Sequence, residues 1–308
     1  MKMRPVVLIP ALKHHIWGGT RLSTDYGKSN QNGAISESWE LSCHPENLTK
    51  VDDVLCPYTF FETLKKYGWL ETIGSKWESH TEFPLLVKFI DAHQPTPITV
   101  CPDDDYAREN ENSCGRTKLL YITDCQRGSY IFYGVSDIIP IDEFTAKMND
   151  STVAHALKVI PVKKGDAYLI EPGTVHGLSA GITAVEIQQN CNISYTVWDY
   201  ERLHSEDDML INDVDKLADV VNLFPSKKVI SIGHISKTPY FTVDRFRAPK
   251  TIYLDEKTFN LIICLEGEGT LNWSKGFLPM KKGSCIFVPA NTGEHKLIGN
   301  TQGLIVTL

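Results

Sequence analysis

One histidine and one cysteine, far apart in the chain, are of types that could hold a metal. His176 closes the segment Gly165-Asp166-Ala167-Tyr168-Leu169-Ile170-Glu171-Pro172-Gly173-Thr174-Val175-His176. A strand ending in a Pro-Gly turn carries its last residues to a barrel mouth and aims an imidazole inward, where it can ligate. Cys101 could join it as a thiolate, but a lone Cys-His pair falls short of the three or four ligands of a zinc site, and such residues are ordinarily core residues. Arg116 and Arg202 read equally well as surface charges or as phosphate clamps. Asp103-Asp104-Asp105 follows Pro102 and reads as a solvated turn rather than a carboxylate pair. The eight cysteines lack the paired short spacing of a structural zinc site, so free thiols in a reducing compartment are expected.

The elements that must position these residues are mostly strands. Leu85–Ile90, Lys118–Ile122, Ser129–Tyr133, Ala167–Ile170, Ala184–Gln188 and Ser194–Trp198 are rich in β-branched and aromatic residues and are separated by turn residues. Apolar residues three or four apart predict helices over Tyr58–Tyr67 and Ile141–Val159, as inserts around a β core. Glu206–Ser226 is polar, acidic and poor in strand signals, and reads as a connection.

Beyond it, Leu261–Leu265 and a return through Gly267-Glu268-Gly269 to Leu271 make a strand, a tight turn and a second strand. Lys281-Lys282-Gly283, a strand and Pro289 follow, repeating the order of Lys163-Lys164-Gly165, strand and Pro172. The repeat predicts two related β-barrels, residues 1–230 and 231–308. In the second, His295 lies one position beyond a ligand's place and Asn291 replaces the turn glycine, so that barrel reads as structural.

Length and composition set the outer limits. The chain has 308 residues, 42% hydrophobic and 22% charged, enough for two ordinary cores. Its formal net charge of -7 is spread along the chain without a basic patch, which argues against nucleic acid or anionic membrane and for small molecules. No segment approaches the roughly 18 apolar residues of a membrane span, and the opening residues lack a leader pattern, so a cytoplasmic location is expected.

Several short motifs occur in a particular order: Trp17-Gly18-Gly19, Glu37-Ser38-Trp39, His44-Pro45, Phe83 to Ala92, Pro102 to Ala107, Gly173-Thr174-Val175-His176 and Glu186 to Asn190. Together they resemble the short bacterial type I mannose-6-phosphate isomerases over essentially the whole chain. The resemblance implies a mainly β fold of two cupin-type, jelly-roll barrels, with helices inserted in the first. It also implies zinc on Gln, His, Glu and His ligands, and interconversion of mannose 6-phosphate and fructose 6-phosphate through a cis-enediol. A metal, a polar base and a nearby Arg can supply the charge stabilisation and proton transfer that this reaction needs.

Measured against that family, this sequence departs at the metal. The first ligand motif reads Thr99-Val100-Cys101-Pro102-Asp103-Asp104, with Thr99 and Cys101 in place of Gln and His. The third ligand, a Glu, corresponds to Lys118, and only His176 is kept. The family's Arg near the reacting carbons corresponds to Thr196, and losing one such donor typically costs about 3 kcal/mol of transition-state stabilisation. Trp39, His44, Lys88, Glu186 and Arg202 match the family's cleft residues, and Lys118 would face the old metal position, its ammonium replacing part of the metal's charge.

Two functions follow as expectations. One is a degenerate relative that binds a sugar or sugar phosphate, as monomer or homodimer, with zinc weak or absent. The other is a working isomerase, for mannose 6-phosphate or another sugar, with a zinc site rebuilt on Cys101, His176 and a carboxylate such as Glu109 or Glu111.

Overall fold

A computed structural model describes residues 2–28, 33–52, 58–78, 80, 82–202, 213–225 and 234–308. Four antiparallel sheets dominate it. The first pair holds the predicted site. Its six-stranded sheet runs Ala167–Ile170, Lys118–Cys125, Ile182–Gln189, Leu85–Ala92, Glu37–Leu41, Ala11–Lys13. Its five-stranded partner runs Tyr195–Trp198, Ile98–Val100, His176–Leu178, Tyr130–Val135, Leu157–Pro161. Ile90, Leu120 and Ile122 of the first sheet pack with Ile131, Tyr133 and Leu178 of the second to form the core between them. This is a mainly β, cupin-type architecture with a few inserted helices.

The second pair is a seven-stranded and a four-stranded sheet, with Ile262, Ile286, Leu271 and Leu297 between them. The strand Val6–Ile9 joins the seven-stranded sheet, Val6 pairing with Phe287 and Val7 with Ile286. The largest cluster lies between the two pairs, where Phe60, Phe83, Phe259 and Phe287 pack edge-to-face or tilted with centroids 4.8 to 5.6 Å apart. Strands such as Leu85–Ala92 are therefore buried on both faces, which is why they do not read as apolar-polar alternations, and their charged members, Lys88 and Asp91, are buried too.

Three local expectations change. The helix expected over Ile141–Val159 ends at Asn149, a 3₁₀ turn covers Val153–Ala156, and Leu157–Pro161 is a strand on Tyr130–Val135. Apolar spacing there fits either period, and the break at Asp150-Ser151, where Ser151 has φ 60°, stops the helix. The helix expected from Tyr58 starts at Phe60, because Thr59 and Glu62 form a reciprocal cap. Asp103–Asp105 opens a helix rather than forming a turn: Asp103 and Asp105 are exposed as expected, but Asp103 caps the helix Asp104–Glu111, and Asp104 accepts from the Gly115 N–H at 2.8 Å and the Gln189 amide at 2.9 Å. Of the connection over Glu206–Ser226, residues 206–212 and 226 lie outside the described residues, and Val214–Val220 is helical.

Candidate functional site

A cleft of about 950 Å³ opens at the mouth of the first sheet pair. Its floor is made by one face of the six-stranded sheet. Lys88 pairs with Glu186 and Gln188 with Lys118 in the strand register, and Trp39 pairs with Lys88. Residues two apart on a strand share a face, so Glu37 accompanies Trp39, and Gln188 accompanies Glu186. His176 enters from the five-stranded sheet, opposite Thr99.

These residues make a buried ionic network. Lys88 Nζ lies 3.0 Å from Glu37 and 3.2 Å from Glu186, and Arg116 and Lys118 each lie 3.7 Å from Glu186. Arg116 also donates twice to the Gln188 side-chain oxygen, at 3.1 and 3.0 Å. Trp39 donates its indole N–H to Glu37 at 2.6 Å. Burial opposes ionisation of Glu186, but Lys118, Lys88 and Arg116 more than reverse this and hold its carboxyl far below the usual range. Glu37 is likewise brought down to about 2, burial being outweighed by Lys88 and by His15 and Trp39.

At His176, Nδ1 lies 2.8 Å from the Thr174 carbonyl, which can only accept, so Nδ1 carries the proton. Nε2 is then the acceptor, and Lys118 donates to it at 2.8 Å. Burial and the Lys118 charge push the imidazole down to about 3, so it is neutral at ordinary pH. Burial and Arg116 in turn hold Lys118 below the usual ammonium range.

Of the sequence-predicted substrate residues, His44, Lys88, Lys118, Glu186 and Arg202 line the cleft. Trp39 does not: it is fully buried on the floor's own face, covered by the cleft-lining Lys13, whose Nζ lies 4.4 Å from its ring centroid, and by Lys88 at 5.6 Å. Arg202 is tied to Asp199 at 3.0 Å and to the Pro95 carbonyl at 2.6 Å. Cys101 is buried and does not line the cleft, although it acts on the charges of Arg116 and Lys118, which do; Thr196, paired with the cleft-lining Thr99, is also buried, its hydroxyl without a partner among the described residues. Glu109 and Glu111 do not line the cleft, and Glu111 is engaged by Tyr195 at 2.7 Å and Lys216 at 2.8 Å. Glu37 was read only as part of the Glu37-Ser38-Trp39 motif and given no site role, although its position two residues before Trp39 was a usable signal. Glu46 was given no role either, and bridges Lys13 at 2.8 Å and Asn192 at 3.0 Å at the rim.

The donors do not fit a zinc ion. The His176 lone pair is taken by Lys118, Thr99 and Lys118 stand where ligands would, and Cys101 does not line the cleft. Among the described residues, no group of three or more His, Cys, Asp or Glu is placed to hold a metal.

Comparison with known proteins agrees with the fold. Residues 231–308 match the family model described as mannose-6-phosphate isomerase, cupin domain. YvyI of Bacillus subtilis, which carries the isomerase's name, is 31% identical over 330 residues, covering 100% of this chain and 99% of its own. This chain belongs to the mannose-6-phosphate isomerase family. The mannose-6-phosphate isomerase ManA of the same organism is 29% identical over 326 residues, covering 99% of each chain. The crystal structure of the Bacillus subtilis mannose 6-phosphate isomerase superposes with a TM-score of 0.86 at 28% identity, over 99% of this chain and 100% of that one. Phosphomannose isomerase from Salmonella typhimurium, at 15% identity and a TM-score of 0.77 over 99% of both chains, shares the fold. Within the family's fold, then, this member has an ionic network at the position where the resemblance implies a metal.

Proposed function

We propose that this chain is a sugar-phosphate-binding member of the family with little or no isomerase activity. The observation that carries the reading is the 2.8 Å hydrogen bond from Lys118 to His176 Nε2. A protonated lysine has no lone pair to offer a metal, and two unit charges about 4 Å apart repel by roughly 4 kcal/mol at an effective dielectric near 20. The cleft keeps cations and hydrogen-bonding groups suited to a phosphorylated sugar, while Thr196 supplies no charge to a developing oxyanion. The seven described cysteines are free, which supports a reducing, cytoplasmic setting.

Full-length similarity to ManA favours the second reading, an active isomerase with a rebuilt zinc site. Metal analysis of the purified chain with a coupled assay on mannose 6-phosphate separates the two. Expected are substoichiometric zinc and turnover well below about 1 s⁻¹, the low end of ordinary enzymes. Stoichiometric zinc with turnover above that value overturns the degenerate reading.

A further inference from the structure

Two thiols outside the cleft lining meet where two chain segments run side by side. Gln188 pairs with Lys118 at the last rung of their ladder, so the antiparallel run brings residue 191 back beside residues 114 and 115. Side chains fasten the segments there: the Thr117 N–H donates to the Gln189 side chain at 2.9 Å, and the Gln188 amide donates to the Cys191 carbonyl. Cys191 is buried, while Cys114, in the irregular stretch before Lys118–Cys125, is half-buried. Neither lines the cleft.

Donors converge on the Cys191 sulfur. The Cys114 thiol is within hydrogen-bonding reach of it, the Ile193 N–H donates to it at 3.3 Å, and the Ser113 hydroxyl lies 3.8 Å away. Arg116 adds a positive charge and joins the pair to the cleft floor, where the same guanidinium donates to Gln188. Such donors stabilise negative charge on sulfur. The Cys114 hydrogen bond, against burial, accordingly lowers the proton affinity of Cys191, and Arg116, Ile193 and Ser113 act the same way. Burial instead raises the thiols of Cys43, Cys125, Cys264 and Cys285. A thiolate held beside a second, more exposed sulfur is the arrangement that oxidises readily and then closes to a disulfide.

We propose that Cys114 and Cys191 are a redox site, oxidised by a hydroperoxide to an intrachain disulfide that small thiols reopen. The proposal is independent of the sugar-phosphate reading. One proton of the pair goes to solvent and the other is shared, and its transfer to Cys191 leaves the thiolate on the more exposed Cys114. That sulfur attacks the terminal oxygen of the hydroperoxide. The O–O bond breaks, the alcohol (water, from hydrogen peroxide) leaves with a proton from solvent, and Cys114 becomes a sulfenic acid. The Cys191 sulfur then attacks Cys114; the S–S bond forms as S–O breaks, and the hydroxyl departs as water with the Cys191 proton. Two thiols and one hydroperoxide thus give one disulfide, one alcohol and one water. Both cysteines lie outside regular strands, so the sulfurs can close to the roughly 2.05 Å of the bond without breaking a ladder. A disulfide of this kind is transient in a reducing compartment.

The test uses the purified full chain, reduced, freed of reductant and held in EDTA, then treated with a small excess of hydrogen peroxide, alkylated and mapped by mass spectrometry without reduction. Expected are a peptide cross-linking Cys114 to Cys191 as the main product, loss of two of the eight thiols at least about tenfold faster than the rest, and recovery with dithiothreitol. In Cys191→Ser the Cys114 sulfenic acid has no resolving sulfur, so dimedone should label it at least about tenfold more than in the unsubstituted chain. Cross-links joining other cysteines, uniform slow loss of all thiols, or oxidation of Cys114 to a sulfinic acid without a cross-link overturn the proposal and leave the sugar-phosphate reading standing. If Cys191→Ser does not fold, the peptide map of the unsubstituted chain decides.

Discussion

His176 should make this fold acid-sensitive in a way that one substitution removes. Its imidazole is held at about 3, against an ordinary 6.5, by burial and the Lys118 charge. The folded state favours the neutral ring, so below pH 6.5 the unfolded chain takes up a proton that the folded chain refuses. The associated stability is fully present above 6.5 and is lost as pH falls toward 3. Linkage with these two values gives a loss of about 2 kcal/mol at pH 5 and about 3 kcal/mol at pH 4. In His176→Asn the side-chain oxygen can still accept from Lys118 and nothing titrates there. Urea unfolding of both proteins at pH 7.5, 6 and 5, with and without EDTA, reads the effect, since carboxylates common to both largely cancel in the difference. The unsubstituted chain should lose about 2 kcal/mol more than His176→Asn between pH 7.5 and 5. Curves parallel to within about 0.5 kcal/mol would refute the reasoning. A difference that disappears in EDTA would show that a bound metal, not burial beside Lys118, keeps the ring neutral.

Three further outcomes are expected. Glu186→Gln leaves Lys88, Arg116 and Lys118 without their shared carboxylate and should cost about 3–5 kcal/mol; adding Lys118→Met should recover part of it, whereas strictly additive urea midpoints would argue against a shared charge. Gly267→Ala, at φ 77° with the new Cβ 1.7 Å from the Asn300 carbonyl oxygen, should destabilise by more than about 2 kcal/mol; Gly128→Ala, at φ 90° in open space, should cost only about 1 kcal/mol, and equal losses would contradict the steric argument. Joint Cys101→His, Lys118→Glu and Thr196→Arg substitution should raise zinc retained on dialysis from a small fraction to about one per chain; no gain would mean that the change in the site extends beyond those three positions.

Much of the fold was legible because the strands carry local signals that tertiary packing reinforces. Ala167–Ile170 runs between the same residues as its sequence-predicted segment, and the lysine-glycine repeat recurs at equivalent strand starts in both sheet pairs. The stretch 157–161 was not legible: its apolar spacing suits a helix as well as a strand, and hydrogen bonds to Tyr130–Val135 decide it. Among cleft residues, Lys88 and Glu186 were identifiable, while Trp39 proved to be buried beneath Lys13 and Lys88, and Glu37 was read only as part of a motif, with no role given to it.

Residue identities, set against the family resemblance, were enough to raise the expectation that zinc donors are replaced here, since Thr99, Cys101 and Lys118 are chemical facts of the chain whatever its shape. Only the tertiary structure decided what the replacements do. Lys118 and His176 are 58 positions apart, and their meeting at 2.8 Å depends on two different sheets facing each other. Charge energies depend on distance and on exclusion of water, neither of which is written in sequence order. Folding thus turns a lysine that would read as a solvated surface residue into the buried cation that occupies the histidine's lone pair.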